Sequence, residues 1–280
     1  MNTQPVQIHT SPGLKELAAT AGGQMFPSAS GISYTISTIQ DLDDTHIAQT
    51  EKQAPSFYVR LANDVSCHSR IIAFISRLSP YDVLLTTGQR TFDELRQGSV
   101  IGVHGSFRER QIRHLALHAD VIMVKPPVSE AVKQLSNGTI DGLVISDAER
   151  ILTIPDGFTI ETFSPQFFIP EPFQGIVCVQ AGKGTEQYHS YARSVSSPIL
   201  EIVHDAEAGF KNACIQQKRS LTGALCIAFQ DKFTLYGSIF SPDGTGFVQG
   251  TASFTSETLS KEVSRLAETL LFHSKGMPIE

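Results

Sequence analysis

The chain has 280 residues, 41% of them apolar, which makes it too long for one ordinary core and too apolar for a disordered protein. Its 22 Lys and Arg stand against 28 Asp and Glu, a formal charge of −6; that mild acidity argues against a general binder of nucleic acid or anionic membranes and leaves room for local basic pockets. No apolar run approaches the roughly 18–20 residues of a membrane span, and the start Met1-Asn2-Thr3-Gln4-Pro5 lacks the basic and apolar stretches of a signal peptide.

Val6-Gln7-Ile8-His9-Thr10 predicts a first strand, and Leu14, Leu17, Ala18 and Ala21 a helix opened by Ser11-Pro12-Gly13. Ile32 to Ile39 alternates like a strand, and the acidic stretch 40–55 reads as a loop. Residues 56–69 are ambiguous, with helical spacing of Phe57, Leu61 and Val65, and Ile71 to Ile75 is a compact strand. Strands are then expected at 81–86, 100–103, 121–124 and 142–146. Helices are expected at 91–95, 107–118 and 129–135 and from Asp147 onward. This alternation implies a mostly parallel sheet covered by helices. From about Ser197 the pattern changes to a helix over 199–215, two antiparallel strands at 225–229 and 233–240, and an amphipathic helix at 259–272.

Few residues carry a chemical signal. The loop Gly102 to Arg110 joins a strand to a helix, and its small residues with Arg108, Arg110 and Arg113 suit an anion. The alternative is a tight turn before a solvated basic face, and the spacing fits no nucleotide fingerprint. His114 and His118 share a helical face but have no HExxH and no third ligand, so a surface pair is the better reading. Asp41, Asp43 and Asp44 lack the Gly and distal Glu of a calcium loop. The four cysteines form no CxxC pair, and Cys178 and Cys226 lie in apolar runs as buried thiols would. A reducing cytoplasm is the expected compartment.

The order of several segments resembles porphobilinogen deaminase, also called hydroxymethylbilane synthase. Gly98-Ser99-Val100-Ile101-Gly102 with Ser106-Phe107-Arg108 resembles the family's G-S-x-x-G-T-S-S-L-R-R segment. Leu135 to Val144 resembles K-L-x-x-G-x-Y-D-A-I-I-L, and Ile169 to Gly175 resembles L-P-A-x-G-Q-G. Glu207 opens a stretch like the family's E-R-A-F helix, Leu221-Thr222-Gly223 falls at P-I-G, and Ser241-Pro242-Asp243-Gly244 falls at a late P-D-G turn. The resemblance covers about residues 79–272 and is poor before that.

The resemblance implies an α/β fold class: two periplasmic-binding-protein-like (type II) α/β domains plus a small C-terminal α+β domain. Residues 1–78 with about 168–196 would form the first lobe, 79–167 the second, and 197–280 the C-terminal domain. It also implies a dipyrromethane cofactor on a cysteine, an aspartate handling protons, and arginines gripping substrate carboxylates. Here Lys218 stands where the cofactor cysteine belongs, His68-Ser69 is followed by no Lys-Asp, and the paired arginines reduce to Arg108 followed by Glu109. The R-G-N-V-x-T-R segment reads Lys125 to Ala131, without arginine.

The expectation is a divergent member without hydroxymethylbilane synthase activity and without the cofactor. Two alternatives stand beside it: an active enzyme anchored through Cys214, and a bilobal binding or interaction protein. A carboxylate or tetrapyrrole-type ligand would meet Ser106, Arg108, Arg110 and Gln174. A protein partner is compatible with this reading, whereas nucleic acid and membrane are not expected.

Overall fold

The computed structural model describes residues 5–39, 42, 47, 54–65, 70–88, 90–116, 118–125, 127–154, 156–219, 221–243 and 245–279. The chain forms two compact units, Met1–Leu78 with Gly175–Glu201 and Ser79–Gln174 with Ile202–Glu280.

The first unit holds a five-stranded sheet of β1 (Val6–Thr10), β2 (Tyr34–Thr38), β3 (Ser56–Leu61), β4 (Ile71–Arg77) and β10 (Ile176–Ala181), in the order β2-β1-β3-β10-β4. β1 runs parallel to β2 and β3, while β10 runs antiparallel to both β3 and β4. The ambiguous stretch after Pro55 is therefore a strand, and Phe57, Tyr58 and Val59 are all fully buried. A central strand covered on both faces loses the alternation that marks strands, which is why four-residue spacing mimics a helix there. β10 is a fully buried strand of the same kind. Helices α1 (Lys15–Met25) and α5 (Glu186–Arg193, of which His189–Arg193 is α-helical) belong to this unit.

The second unit repeats the plan with β5 (Asp82–Thr86), β6 (Val100–Val103), β7 (Asp120–Met123), β8 (Gly142–Ser146) and β9 (Thr159–Thr162), ordered β7-β6-β8-β5-β9. Again four strands run in one direction, and one, β5, is antiparallel to its neighbours. The expectation of a mostly parallel sheet therefore meets one reversed strand in each sheet. Helices α2 (Ser106–Leu115), α3 (Val128–Ser136) and α4 (Asp147–Thr153) follow strands β6, β7 and β8. The period of two in β5 and β8 sends Val83, Leu85, Leu143 and Ile145 to one face, against Val128, Ala131 and Leu135 of α3. Leu84 and Val144 go to the other face, against Ile112 of α2. Each fully buried Val or Leu of these layers contributes about 1.5–3 kcal/mol.

The same unit carries a three-stranded antiparallel sheet of β11 (Thr222–Phe229), β12 (Lys232–Phe240) and β13 (Phe247–Phe254), flanked by α6 (Pro198–Gln216) and α7 (Leu259–His273). Phe240 of β12 packs edge-on against Phe107 of α2 at 5.7 Å. Ala224 N donates to Pro170 O. Gly223 admits this contact, because a Cβ there would lie 2.8 Å from Ile169 O and 2.9 Å from the Phe107 ring. No helix among the described residues is long and apolar enough to cross a membrane.

Candidate functional site

Strands β6 and β8 end side by side at Val103 and Ser146, the edge of an α/β sheet where ligands usually bind. Gly105 follows with φ 107°, a conformation open to glycine, and α2 starts at Ser106 with no side chain capping it. Ser106 is exposed and Arg110 half-buried on the first turns of this helix.

Arg108 faces the other way. Its side chain is 7% exposed, and its Nε donates to Asp82 Oδ1 at 2.6 Å. Nη1 donates to His104 O at 2.6 Å and Nη2 to Gln174 Oε1 at 2.5 Å. Gln174 in turn donates through Nε2 to Pro80 O and to Asp82 Oδ1. The two sequence-predicted residues Arg108 and Gln174 are thus brought together, as partners of each other and of Asp82. Burial pushes the Asp82 carboxyl above its usual range, while the Arg108 charge and hydrogen bonds pull against it. Asp82 Oδ2 is buried without a hydrogen-bond partner among the described residues. The cluster ties the start of β5, helix α2 and the 173–175 crossing into one knot.

At the sheet edge itself, His104 Nδ1 lies 3.2 Å from Glu149 Oε2, on the first turn of α4. The hydrogen bond to Glu149 holds the imidazole above its ordinary value, against the opposing effect of burial. A raised histidine stabilises the fold fully below the unfolded value of about 6.5 and ceases to do so as pH rises through the folded one. We expect an NMR titration to place His104 above 6.5 and Glu149→Gln to bring it down. An unshifted His104 in that variant would remove Glu149 as the cause.

The crossing back to the first unit is also unusual. Phe173 has φ 72° and Gly175 φ 76°, at the two positions where the resembling segment reads Gly-Gln-Gly. A buried Phe in the left-handed region is strained by roughly 1–2 kcal/mol. Phe173 N donates to Glu207 Oε2 at 2.6 Å, its ring stacks on His204 at 4.9 Å, and Lys211 Nζ sits 5.0 Å over that ring. Glu207, fully buried, also accepts from Cys226 N at 2.8 Å.

The family's cofactor position falls between α6 and β11, where only residues 217–221 connect the elements. Lys218 is exposed, has φ 57°, and donates its backbone N–H to Ile215 O, so it closes the C-terminus of α6. Arg219 turns inward, to the carbonyls of Ser274, Met277 and Pro278. Cys178, Cys214 and Cys226 are all buried. Burial pushes the Cys178 and Cys214 thiols up to about 12. A dipyrromethane thioether needs an accessible thiolate, so these residues do not fit the group. Asp41, Asp43, Asp44, Cys67 and His68-Ser69 lie outside the described residues. Among the described residues no three His, Cys, Asp or Glu side chains converge as a metal site, and His114 instead packs on Phe247 at 4.8 Å.

Two sheets with one strand order, each with its reversed strand supplied across the crossing, define an α/β protein of the type II periplasmic-binding-protein plan with an α+β domain attached. Residues 61–190 match the family model described as porphobilinogen deaminase, dipyromethane cofactor binding domain. Over these residues, under half of the chain, it is similar to the porphobilinogen deaminase family. It is 34% identical over 117 residues to the protein named "Probable porphobilinogen deaminase" of Methanosarcina mazei, covering 41% of this chain and 36% of that one. It is 24% identical over 184 residues to porphobilinogen deaminase of Clostridium beijerinckii, covering 65% and 63%. The chain therefore spans about a third to under two thirds of the length of these relatives. Among solved structures, a periplasmic substrate-binding protein of an ABC transporter from Coxiella burnetii matches at TM-score 0.45 and 14% identity, covering 72% of this chain and 96% of that one. An ancestral arginine-binding protein bound to glutamine matches at 0.41 and 13%, covering 69% and 91%. Likenesses this low carry no argument about what is bound.

Proposed function

We propose that this protein is a porphobilinogen deaminase-like member of the tetrapyrrole (haem) biosynthesis type that does not synthesise hydroxymethylbilane and instead holds a small molecule. The observation that carries this reading is the 217–221 connection: it offers no thiol, and Cys214 just before it is fully buried. Arg108 points the same way, since its Nε, Nη1 and Nη2 each donate to a protein acceptor, Asp82, His104 and Gln174 in turn. In this reading a carboxylate-bearing ligand meets Ser106 and Arg110, with Arg108 and Gln174 as the support beneath them. The ligand sits on a protein of reducing, cytoplasmic type, which suits buried cysteines such as Cys178 and Cys214.

The test is an intact mass spectrum of the purified protein followed by incubation with porphobilinogen. The expected result is the bare polypeptide mass and no bilane. A covalent dipyrromethane adduct with turnover would establish an active deaminase and overturn the proposal.

A further inference from the structure

The three-stranded sheet has two edges, and they are treated differently. On the β11 edge, the backbone N–H groups of Ala224 and Cys226 are taken by Pro170 O and Glu207 Oε1. β13, at the other edge, pairs only with β12 among the described residues. Its eight residues, Phe-Val-Gln-Gly-Thr-Ala-Ser-Phe, include no charge and no proline, and the register with β12 runs unbroken from Phe247 to Phe254. Exposed edge strands are normally blunted by lysine, proline or a bulge, because their open backbone invites another strand. β13 has none of these.

Beside this edge lies a groove of about 380 Å³ shared with α7. Four consecutive residues, Gln249 to Ala252, line it. Alternate side chains of a strand point to opposite faces, so four in a row can line one groove only if its wall is the strand's backbone edge. Gly250 lets α7 come close, since a Cβ there would meet Leu266 at 3.2 Å and Leu270 at 3.3 Å. The far wall is a stripe of Arg265, Thr269 and His273, spaced four apart on α7. The Arg265 side chain is 69% exposed, and its ion pair is with Glu262 at 2.6 Å. The Glu262 side chain is 17% exposed, so this pair stays in place, and the outward guanidinium has further N–H donors for a second carboxylate.

An open backbone edge, an apolar floor of Leu266 and Leu270 and a basic far wall describe the geometry of strand addition. We propose that the edge of β13 and the groove beside it take an extended acidic segment of a partner protein, added as a fourth strand. Its backbone pairs with residues 249–252, one row of side chains reaches the apolar floor, and its carboxylates meet Arg265 and His273.

The test uses the full chain, isotope-labelled, titrated with the hexapeptide acetyl-Val-Asp-Val-Glu-Val-Asp-amide. The expected result is saturable amide shifts at residues 249–252 and on the 265–273 stripe. Arg265→Gln, which keeps an N–H donor for Glu262 and should leave the thermal midpoint near the parent's, is expected to weaken binding about tenfold, and a peptide with lysine at the acidic positions should not compete. Three results would overturn the proposal. The acidic peptide could leave 249–252 unmoved. It could bind Arg265→Gln as well as the parent, or no better than the lysine peptide does. Or the same amides could become protected on concentrating the protein alone, which would assign the edge to a second copy.

Discussion

Replacing Arg108 with alanine is expected to destabilise the second unit by about 3–5 kcal/mol, the usual penalty for stranding a buried charge. Asp82 is fully inside the protein, and without the guanidinium its carboxyl keeps only the Gln174 amide at 3.2 Å. Arg108→Lys should recover little, because Nε, Nη1 and Nη2 each serve a different acceptor and an ammonium cannot span all three. Denaturant unfolding of the parent, Arg108→Ala, Asp82→Ala and the double variant measures this as a cycle. The double variant should be more stable than the sum of the single losses implies. A loss below about 1 kcal/mol for Arg108→Ala would mean that the cluster is only a surface pair. This result would also separate support from ligand contact, since the fold itself would change before any ligand is added.

Glu207→Ala should cost roughly 2–5 kcal/mol, from two buried N–H groups left without acceptors and the space left by the side chain. The two groups are those of Phe173 and Cys226, one at the chain crossing and one on β11. Glu207→Gln keeps one carbonyl acceptor but turns an amide N–H toward a backbone N–H, so an intermediate loss is expected. Amide exchange reads the effect residue by residue: Phe173 and Cys226 should lose protection in Glu207→Ala well before the β5–β8 core does. Equal protection in both proteins would show that the left-handed turn at Phe173 holds without its carboxylate.

Much of the second unit was legible in the sequence because its elements are short, periodic and punctuated. β6, β8 and the starts of α2 and α4 fall within a residue of where the pattern puts them, while α2 ends three residues early. β3 and β10 were harder, since strands buried on both faces show an apolar run with no alternation. β13 escaped because glycine and small polar residues dilute its pattern. In the site, the type of residue was readable and its direction was not. Arg108 looks like a carboxylate clamp until Asp82 and Gln174, 26 and 66 residues away in sequence, close around it. Asp82 itself carries no signal, being an acidic residue at the start of an ordinary strand.

The placement of β10 has a consequence for biosynthesis. Among the described residues β4 pairs with its own sheet through β10 alone, and Ser196 and Ser197 hold the Phe74 backbone from the same later segment. At a synthesis rate of about 5–20 residues per second, the ribosome needs roughly 5–20 s to pass from Leu78 to Ala181. During that interval β3 has β1 on one side and waits for β10 on the other, and β4 has no strand of its sheet beside it, while the whole of the β5–β9 segment is emerging and can fold. The nascent chain can therefore complete the β5–β9 sheet before the first one.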